Sequence, residues 1–346
     1  MSELTQKIER VVKSPFFDQT GRSNSASHHC NILKLLLEGT CSFDCKYCEI
    51  CTKEKGICFT PEEAAHGFLE LYHQGKVGGM LLSTGIPRGD TDLGMEKITE
   101  TARIIRKSGF NGYLHLKVLP GAERSDIAEL AKYATRLSVN LEACDASHLS
   151  ELASVKNFKS DLLTRHQWLG EIMPQKHSTQ FVVGAADETD MDIFRTVMTS
   201  YEKYHPARVY YSAFNALEGT PLESHENTPL WRANRWYQVD ALLRLYGYRR
   251  PETAPVFDED GMLINTDPKI LLARTLPQVN PAEAAFEELL RVPGIGIVSA
   301  RNILRERAVN NVRNPEVLKS CGVIVKRALP YLSLGKTRQM RLSSFE

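Results

Sequence analysis

The sequence predicts an α/β chain: six strand–helix units forming a curved, incomplete parallel barrel, followed by a small all-α unit. Two patterns support this. Short runs rich in Val, Ile, Leu or aromatic residues recur six times between residues 31 and 214, each closed by turn residues. Helical periodicity fills most of the gaps between them, and strand–helix–strand alternation implies parallel strands. Six units fall short of the closed eight-unit barrel.

In chain order, the expected strands are residues 31–37, 79–84, 113–118, 137–141, 180–184 and 209–214. Expected helices between them cover residues 61–73, 93–107, 125–133 and 191–204. Thr60-Pro-Glu-Glu63 is a strong helix start. Threonine caps, proline takes the first helical position and Glu63 completes the capping box; Gly75 suits the stop. Residues 142–178 leave room for additional helices, and residues 229–246 read as a helix rich in Trp and Arg. Residues 249–278 hold many Pro and Asp and few periodic apolar positions, so they read as a linker or extended arm. The expected division is a polar N-terminal extension over 1–30 with a short helix near 4–12, a barrel over 31–248, an arm over 249–279 and an all-α domain over 280–346.

The 346 residues suffice for one large domain and one small one, and 42% hydrophobic with 25% charged residues is ordinary globular composition. Disorder is therefore excluded as the main state. No run of 18 apolar residues exists, so no transmembrane helix is expected. The N-terminal stretch is charged and lacks the apolar core of a signal peptide, which gives a cytoplasmic expectation. The net charge of +1 does not point to a partner. Residues 280–346, however, carry 11 Lys/Arg against 6 Asp/Glu. That excess fits a nucleic-acid partner or a plain solvated surface.

Six of the eight cysteines fall within 29 residues, from Cys30 to Cys58. In a long chain without a secretion signal such a cluster reads as metal binding. The decisive segment is LLLEGTCSFDCKYCEIC, in which a strand runs into a loop carrying Cys41-x3-Cys45-x2-Cys48. Three thiolates this close can hold three irons of a cubane and leave the fourth open to a ligand. Zinc ribbons use paired CxxC motifs, and no matching second pair follows. The spacing, with Tyr47 before the last cysteine, resembles the defining motif of radical S-adenosylmethionine (SAM) enzymes. That resemblance implies a [4Fe–4S] cluster on Cys41, Cys45 and Cys48, SAM on the open iron, and a 5′-deoxyadenosyl radical made by reductive cleavage of SAM. The fold it implies is the partial (βα)6 radical SAM barrel.

Further SAM-binding candidates sit at expected strand ends, where parallel α/β folds place their sites. Ser83, Thr84 and Gly85 resemble the segment that meets the SAM amino group through backbone carbonyls; an ordinary turn with Gly85 at positive φ is the alternative. Asn140 and Glu142 lie two apart, which puts them on one side of a strand, and His115 and Lys117 follow the same period. A lysine inside a barrel is costly unless paired, which suggests a ligand-carboxylate or substrate role for Lys117. Gln180 is a weaker candidate near the adenine. Cys30, Cys51 and Cys58 with His28 and His29 form a possible second metal set, with incidental thiols as the alternative. Cys144 and Cys321 read as structural.

The segment from Glu288 to Leu304 reads helix, tight turn, helix, with Ile295 between Gly294 and Gly296. A sharp turn of this kind exposes backbone amides at a helix N-terminus, which bind phosphate without reading sequence. Arg301 and Arg305, one helical turn apart, add phosphate contacts. A further helix over 315–331 carries Lys326 and Arg327. This is the helix-hairpin-helix pattern; packing alone is the alternative.

With both motifs in place, residues 31–332 resemble the radical SAM, helix-hairpin-helix family of DNA modification and repair proteins. The strings that carry the resemblance are FNGYLHLKVLPGA, TQFVVGAADETD, RVYYSAF, YQVDALLRLYGY and LLRVPGIGIVSARNIL. The stretch SNSASHHC before Cys41 is shorter than the family's usual N-terminal section. The resemblance implies a nucleic-acid substrate, DNA ahead of RNA, a uracil-DNA-glycosylase-like partner, and an electron donor such as flavodoxin or ferredoxin. A base inside a duplex must be flipped or single-stranded to reach a barrel interior; Tyr210, Tyr211, Trp231, Arg232, Arg235 and Trp236 are candidates to stack on it. Three readings stay open beside DNA modification: a tRNA-modifying enzyme, a non-catalytic nucleic-acid-binding iron–sulfur protein, and a small-molecule radical enzyme.

Overall fold

Six apolar segments pair in chain order in the computed structural model, which describes Leu4, Lys7, Ile8 and residues 31–52 and 56–334. The strands are β1 Ile32–Leu36, β2 Gly79–Ser83, β3 Tyr113–Lys117, β4 Arg136–Ser138, β5 His177–Val183 and β6 Arg208–Ala213. All neighbours are parallel, in the order β1-β2-β3-β4-β5-β6, and the sheet curls into a half-barrel. Register aligns Leu35 with Leu82, Leu82 with Leu116, and Leu116 with Leu137. All four leucines are buried, as expected where helices cover a parallel sheet. At the carboxyl ends, Ser83 closes β2, Lys117 closes β3 and Ser138 closes β4, so this edge of the sheet is polar.

The helices of this part are α1 Pro61–His73, α2 Thr91–Lys107, α3 Arg124–Ala131, α4 Ala146–Leu152, α5 Thr164–Ile172 and α6 Asp190–Lys203. A π-helical turn over Phe158–Leu163 leads into α5, so the long stretch before β5 does hold extra helices. Both halves of the Thr60–Glu63 capping box are made, as is a second box between Thr189 and Asp192. Helix α7, Leu230–Tyr246, carries the chain from one unit, Met1–Ala233, into another, Asn234–Glu346. Among the described residues no helix is long and apolar enough to cross a membrane.

Three local expectations need correction. The fourth strand ends at Ser138 rather than at 141, because Glu142 takes a positive φ of 65° and pairs with Phe181 through an isolated bridge. Residues 249–278 are folded rather than an open arm. A 3-10 turn covers Arg250–Val256, Phe257 bridges Leu263, and α8 spans Pro268–Ala273. Val256, Leu263 and Leu272 are buried there without helical or alternating spacing, which is why periodicity did not find them. Asn280-Pro-Ala-Glu283, where asparagine followed by proline reads in the sequence as a capped helix start, is a turn. The Asn280 side chain accepts from the Ala282 amide at 3.2 Å, and the helix begins only at Phe286.

The second unit continues with α9 Phe286–Arg291, α10 Ile297–Glu306, α11 Pro315–Ser320 and α12 Val325–Ala328. Leu289, Ile295, Ala300, Ile303, Leu318 and Ala328 are fully enclosed in its core. The turns α9–α10 and α11–α12 each hold a left-handed glycine, Gly294 at φ 87° and Gly322 at φ 84°. The two turns interlock. Ile324 N donates to Gly294 O at 2.9 Å, and Ser299 Oγ donates to Gly322 O at 2.7 Å.

Candidate functional site

β1 delivers the cysteine loop to the polar edge of the half-barrel. There the loop is bound to the segment leaving β2. Gly85 N donates to Glu38 O at 3.1 Å, Ser42 N to Ile86 O at 3.0 Å, and Ile86 N to Cys41 Sγ at 3.3 Å. Cys45 is buried; Cys41 and Cys48 are half-buried. Three thiols carried on one short loop are the donor set that three corners of a cubane take.

Gly85 does not take the left-handed conformation of a turn glycine. Its requirement is close approach: a Cβ there would lie 2.1 Å from Thr40 O and 3.0 Å from Glu38 O. Gly85→Ala is therefore expected to push the β2 end away from the cysteine loop. The destabilisation should be about 1–3 kcal/mol, read by denaturant unfolding, with iron content after reconstitution well below wild type. Wild-type values of both would refute the close-packing reading.

Two residues not singled out in the sequence complete the surroundings. Asp44 accepts from Ser154 N at 3.1 Å and Val155 N at 3.3 Å. Burial pushes the Asp44 carboxyl up, but these hydrogen bonds outweigh it and hold it below its ordinary value. The clamp brings Lys156 to the loop, where its ammonium lies over the Phe43 ring at 5.7 Å and its charge opposes the rise that burial imposes on the Cys45 thiol. No local pattern could have found this contact, because it joins segments 110 residues apart.

Glu142 is the centre of the charges. Burial, with the Glu142 charge beside it, holds the Tyr47 hydroxyl well above its ordinary pKa. Lys117 donates to Asn140 Oδ1. Burial pushes its ammonium down to about 8, with Glu142 opposing that shift and Lys156 adding to it. Asn140, Glu142 and Lys117 do converge, but through the positive φ of Glu142 rather than through strand alternation. A left-handed non-glycine residue of this kind stores strain, a common feature of functional sites. Of the other candidates, Thr84 is buried and donates to Gly85 O at 2.9 Å, while Ser83 O accepts from Leu37 N at 2.9 Å. His115 is buried and bonded to Ser138 Oγ at 2.8 Å. Burial first, then the Lys117 and Arg136 charges, pushes its imidazole well below the ordinary value. The Gln180 carbonyl accepts from Glu142 N at 2.9 Å. Cys58 is exposed. His28, His29, Cys30 and the Cys51 side chain lie outside the described residues.

Three of the six base-stacking candidates are interior. Tyr211 and Trp236 are buried in the core, and Arg232 is buried against Asp190. Arg235 bonds Gln238 and Asn265, and Tyr210 lies under Arg208. Trp231 is half-buried.

In the second unit the Ile295 side chain is buried and its amide donates to Val292 O at 3.1 Å, so it serves the turn itself. Gly296 is the N-cap of α10 and provides no capping side chain. The first-turn amides of such a helix are left for another acceptor. Arg301 and Arg305 are exposed on α10.

No family model matches the chain, and none of the curated proteins does. Solved structures do match. HydG, a maturase of the [FeFe]-hydrogenase, is 12% identical at a TM-score of 0.51, over 61% of this chain and 49% of HydG. SuiB of Streptococcus suis, solved with S-adenosylmethionine bound, is 13% identical at 0.49, over 62% of this chain and 49% of SuiB. Methylornithine synthase (PylB) is 16% identical at 0.48, over 57% of each chain. The chain spans about half the length of the first two. The half-barrel thus has a partial (βα)6 barrel fold that it shares with HydG.

Proposed function

We propose that this chain is a radical SAM enzyme that carries a [4Fe–4S] cluster on Cys41, Cys45 and Cys48, binds SAM beside it, and modifies or repairs nucleic acid, DNA ahead of RNA. The observation that carries this reading is the three-thiol loop leaving β1 at the carboxyl edge of the partial barrel, with Glu142, Lys117 and Lys156 next to it. When bound and reduced, the cluster supplies the electron that splits the SAM sulfonium into methionine and a 5′-deoxyadenosyl radical, which abstracts hydrogen from substrate.

The chain's own groups suit the two charges of the methionine part. The Glu142 carboxylate is the partner for its ammonium, and the Lys117 ammonium, held by Asn140, is the partner for its carboxylate. The second lone pairs of the Ser83 and Gly85 carbonyls, each of which already accepts one hydrogen bond, offer a further acceptor for the amino group. The Lys156 ammonium sets a positive charge beside the Cys45 sulfur, and Asp44 fixes the segment that carries that lysine.

The nucleic-acid part of the reading rests on the second unit. The α9–α10 turn with Gly294 and Gly296 has the helix-hairpin-helix pattern, with bare amides at the start of α10 and exposed Arg301 and Arg305 after them. A flavodoxin or ferredoxin is the proposed electron donor, and a uracil-DNA-glycosylase-like protein the proposed partner.

The test uses anaerobically reconstituted, reduced protein with SAM. 5′-Deoxyadenosine is quantified without nucleic acid, with single-stranded and duplex DNA, and with tRNA. Stimulation by DNA, absent in Cys45→Ala, is the expected result. Stimulation by tRNA instead would move the substrate to RNA. No deoxyadenosine under any condition with an intact cluster would overturn the enzyme and promote a non-catalytic iron–sulfur protein.

A further inference from the structure

We propose that Cys144, Asp145 and His148 bind a divalent transition-metal ion of the zinc class at a site separate from the cysteine loop. Cys144 Sγ lies 3.2 Å from His148 Nδ1 and 3.8 Å from Asp145 Oδ2, and His148 Nδ1 lies 2.8 Å from Asp145 Oδ1. Their donor atoms all fall within 4.8 Å of one another. A tetrahedral ion with sulfur at about 2.3 Å and nitrogen or oxygen near 2.0–2.2 Å needs donors roughly 3.3–3.6 Å apart. Each of the three pairs reaches that by moving a few tenths of an ångström.

The donors are held in place without the ion. Asp145 caps α4, its Oδ1 accepting from His148 N at 3.0 Å. Thr196 Oγ1 on α6 donates to the Cys144 carbonyl at 2.7 Å, which fixes the backbone that presents the thiol. Cys144 is 3% exposed, His148 is half-buried, and Asp145 is exposed. Three protein donors with an outward side is the arrangement that leaves a fourth position for water. The facing charges also favour a cation. The Glu188 and Asp192 carboxylates act on both Cys144 and His148, and Arg232 and Arg195 pair with those carboxylates rather than with the donor set. Thiolate, imidazole and carboxylate together select zinc-like ions over magnesium or calcium, which take oxygen. Binding displaces the thiol proton and any proton on His148 Nδ1 to solvent.

Cobalt(II) is the probe, added to the full chain carrying Cys41→Ser, Cys45→Ser and Cys48→Ser so that the cysteine loop contributes nothing. The expected result is a single saturating thiolate-to-cobalt charge-transfer band with tetrahedral ligand-field bands, displaced by zinc. Adding Cys144→Ser should remove the charge-transfer band. His148→Gln, at a half-buried side chain that the fold tolerates, should weaken binding at least about tenfold. Circular dichroism of each variant without metal checks that it is folded. A charge-transfer band that survives Cys144→Ser would assign binding to other cysteines, and no band at all would mean no thiolate site; either overturns the proposal. Because the cysteine loop is already removed, neither outcome bears on the radical SAM reading.

Discussion

Asp190→Asn is expected to destabilise the protein by about 3–5 kcal/mol, the largest stability loss that a single conservative change should give here. Asp190 is fully buried, and its Oδ1 accepts from Arg232 Nε at 2.9 Å. Arg232 is buried too, and donates to Glu188 O at 3.0 Å with the Glu188 carboxylate 3.9 Å away. Removing one partner leaves a guanidinium enclosed without its closest counter-charge, which is far more costly than losing an exposed pair. The pair also shapes the loop at the end of β5. Gly184 N and Ala186 N both donate to the Glu188 carboxylate, and a Cβ on Gly184 would meet the Arg232 guanidinium at 2.8 Å. Thermal unfolding should show a fall of about 10 °C or more. The double change Asp190→Asn/Arg232→Met removes both charges and should recover most of the loss. A single variant within about 1 kcal/mol of wild type, or a double variant worse than both singles, would contradict a closely coupled buried pair.

Arg232 also shows where sequence reading stops. Trp and Arg spaced along residues 229–246 suggested a surface for stacking on bases. The structure instead turns Trp236 and Arg232 inward, because a charge 42 residues away in sequence, Asp190, neutralises the arginine. Composition cannot reveal a partner at that separation. What it does reveal is the alternation that produces the sheet. Each strand was legible from a run of branched and aromatic residues, and the Thr60 capping box was legible because all of its parts lie within four positions.

The site divides in the same way. Cys41, Cys45 and Cys48 were legible because ligand spacing is local. Lys117, Asn140 and Glu142 were legible as polar residues at strand ends, but the reason they meet was not. Backbone strain at Glu142 has no signature in a glutamate codon. Lys156 and Asp44 escaped notice because loop-to-loop hydrogen bonds have no period. Cys144 and His148, four apart across a helix start, did carry a local signal. It was read as structural because one cysteine by itself is most often packing.

Lys117→Met should separate stability from ligand binding. Burial lowers the Lys117 ammonium from 10.5 to about 8, so between those values the unfolded chain binds a proton that the native one does not. Stability contributed by this residue therefore rises with pH across that window, and below about pH 8 its full cost is present. That cost is at most about 3 kcal/mol, reduced by water at the barrel mouth. Methionine keeps the length of the side chain and removes the charge. The variant should be more stable than wild type at neutral pH, and the difference should shrink as pH rises toward 10.5. In the proposed enzyme the same change removes the cation for the SAM carboxylate, so SAM affinity should fall by at least about tenfold, the value of a single charge-assisted hydrogen bond. Urea unfolding at neutral and alkaline pH, with calorimetric SAM titration of the reconstituted protein, reads both effects. A methionine variant that is less stable at neutral pH would show that Asn140 and Glu142 already compensate the lysine in the empty site. Unchanged SAM affinity would remove Lys117 from the binding site, whatever the stability. Gain in one quantity with loss in the other is the result that a charge retained for its ligand must give.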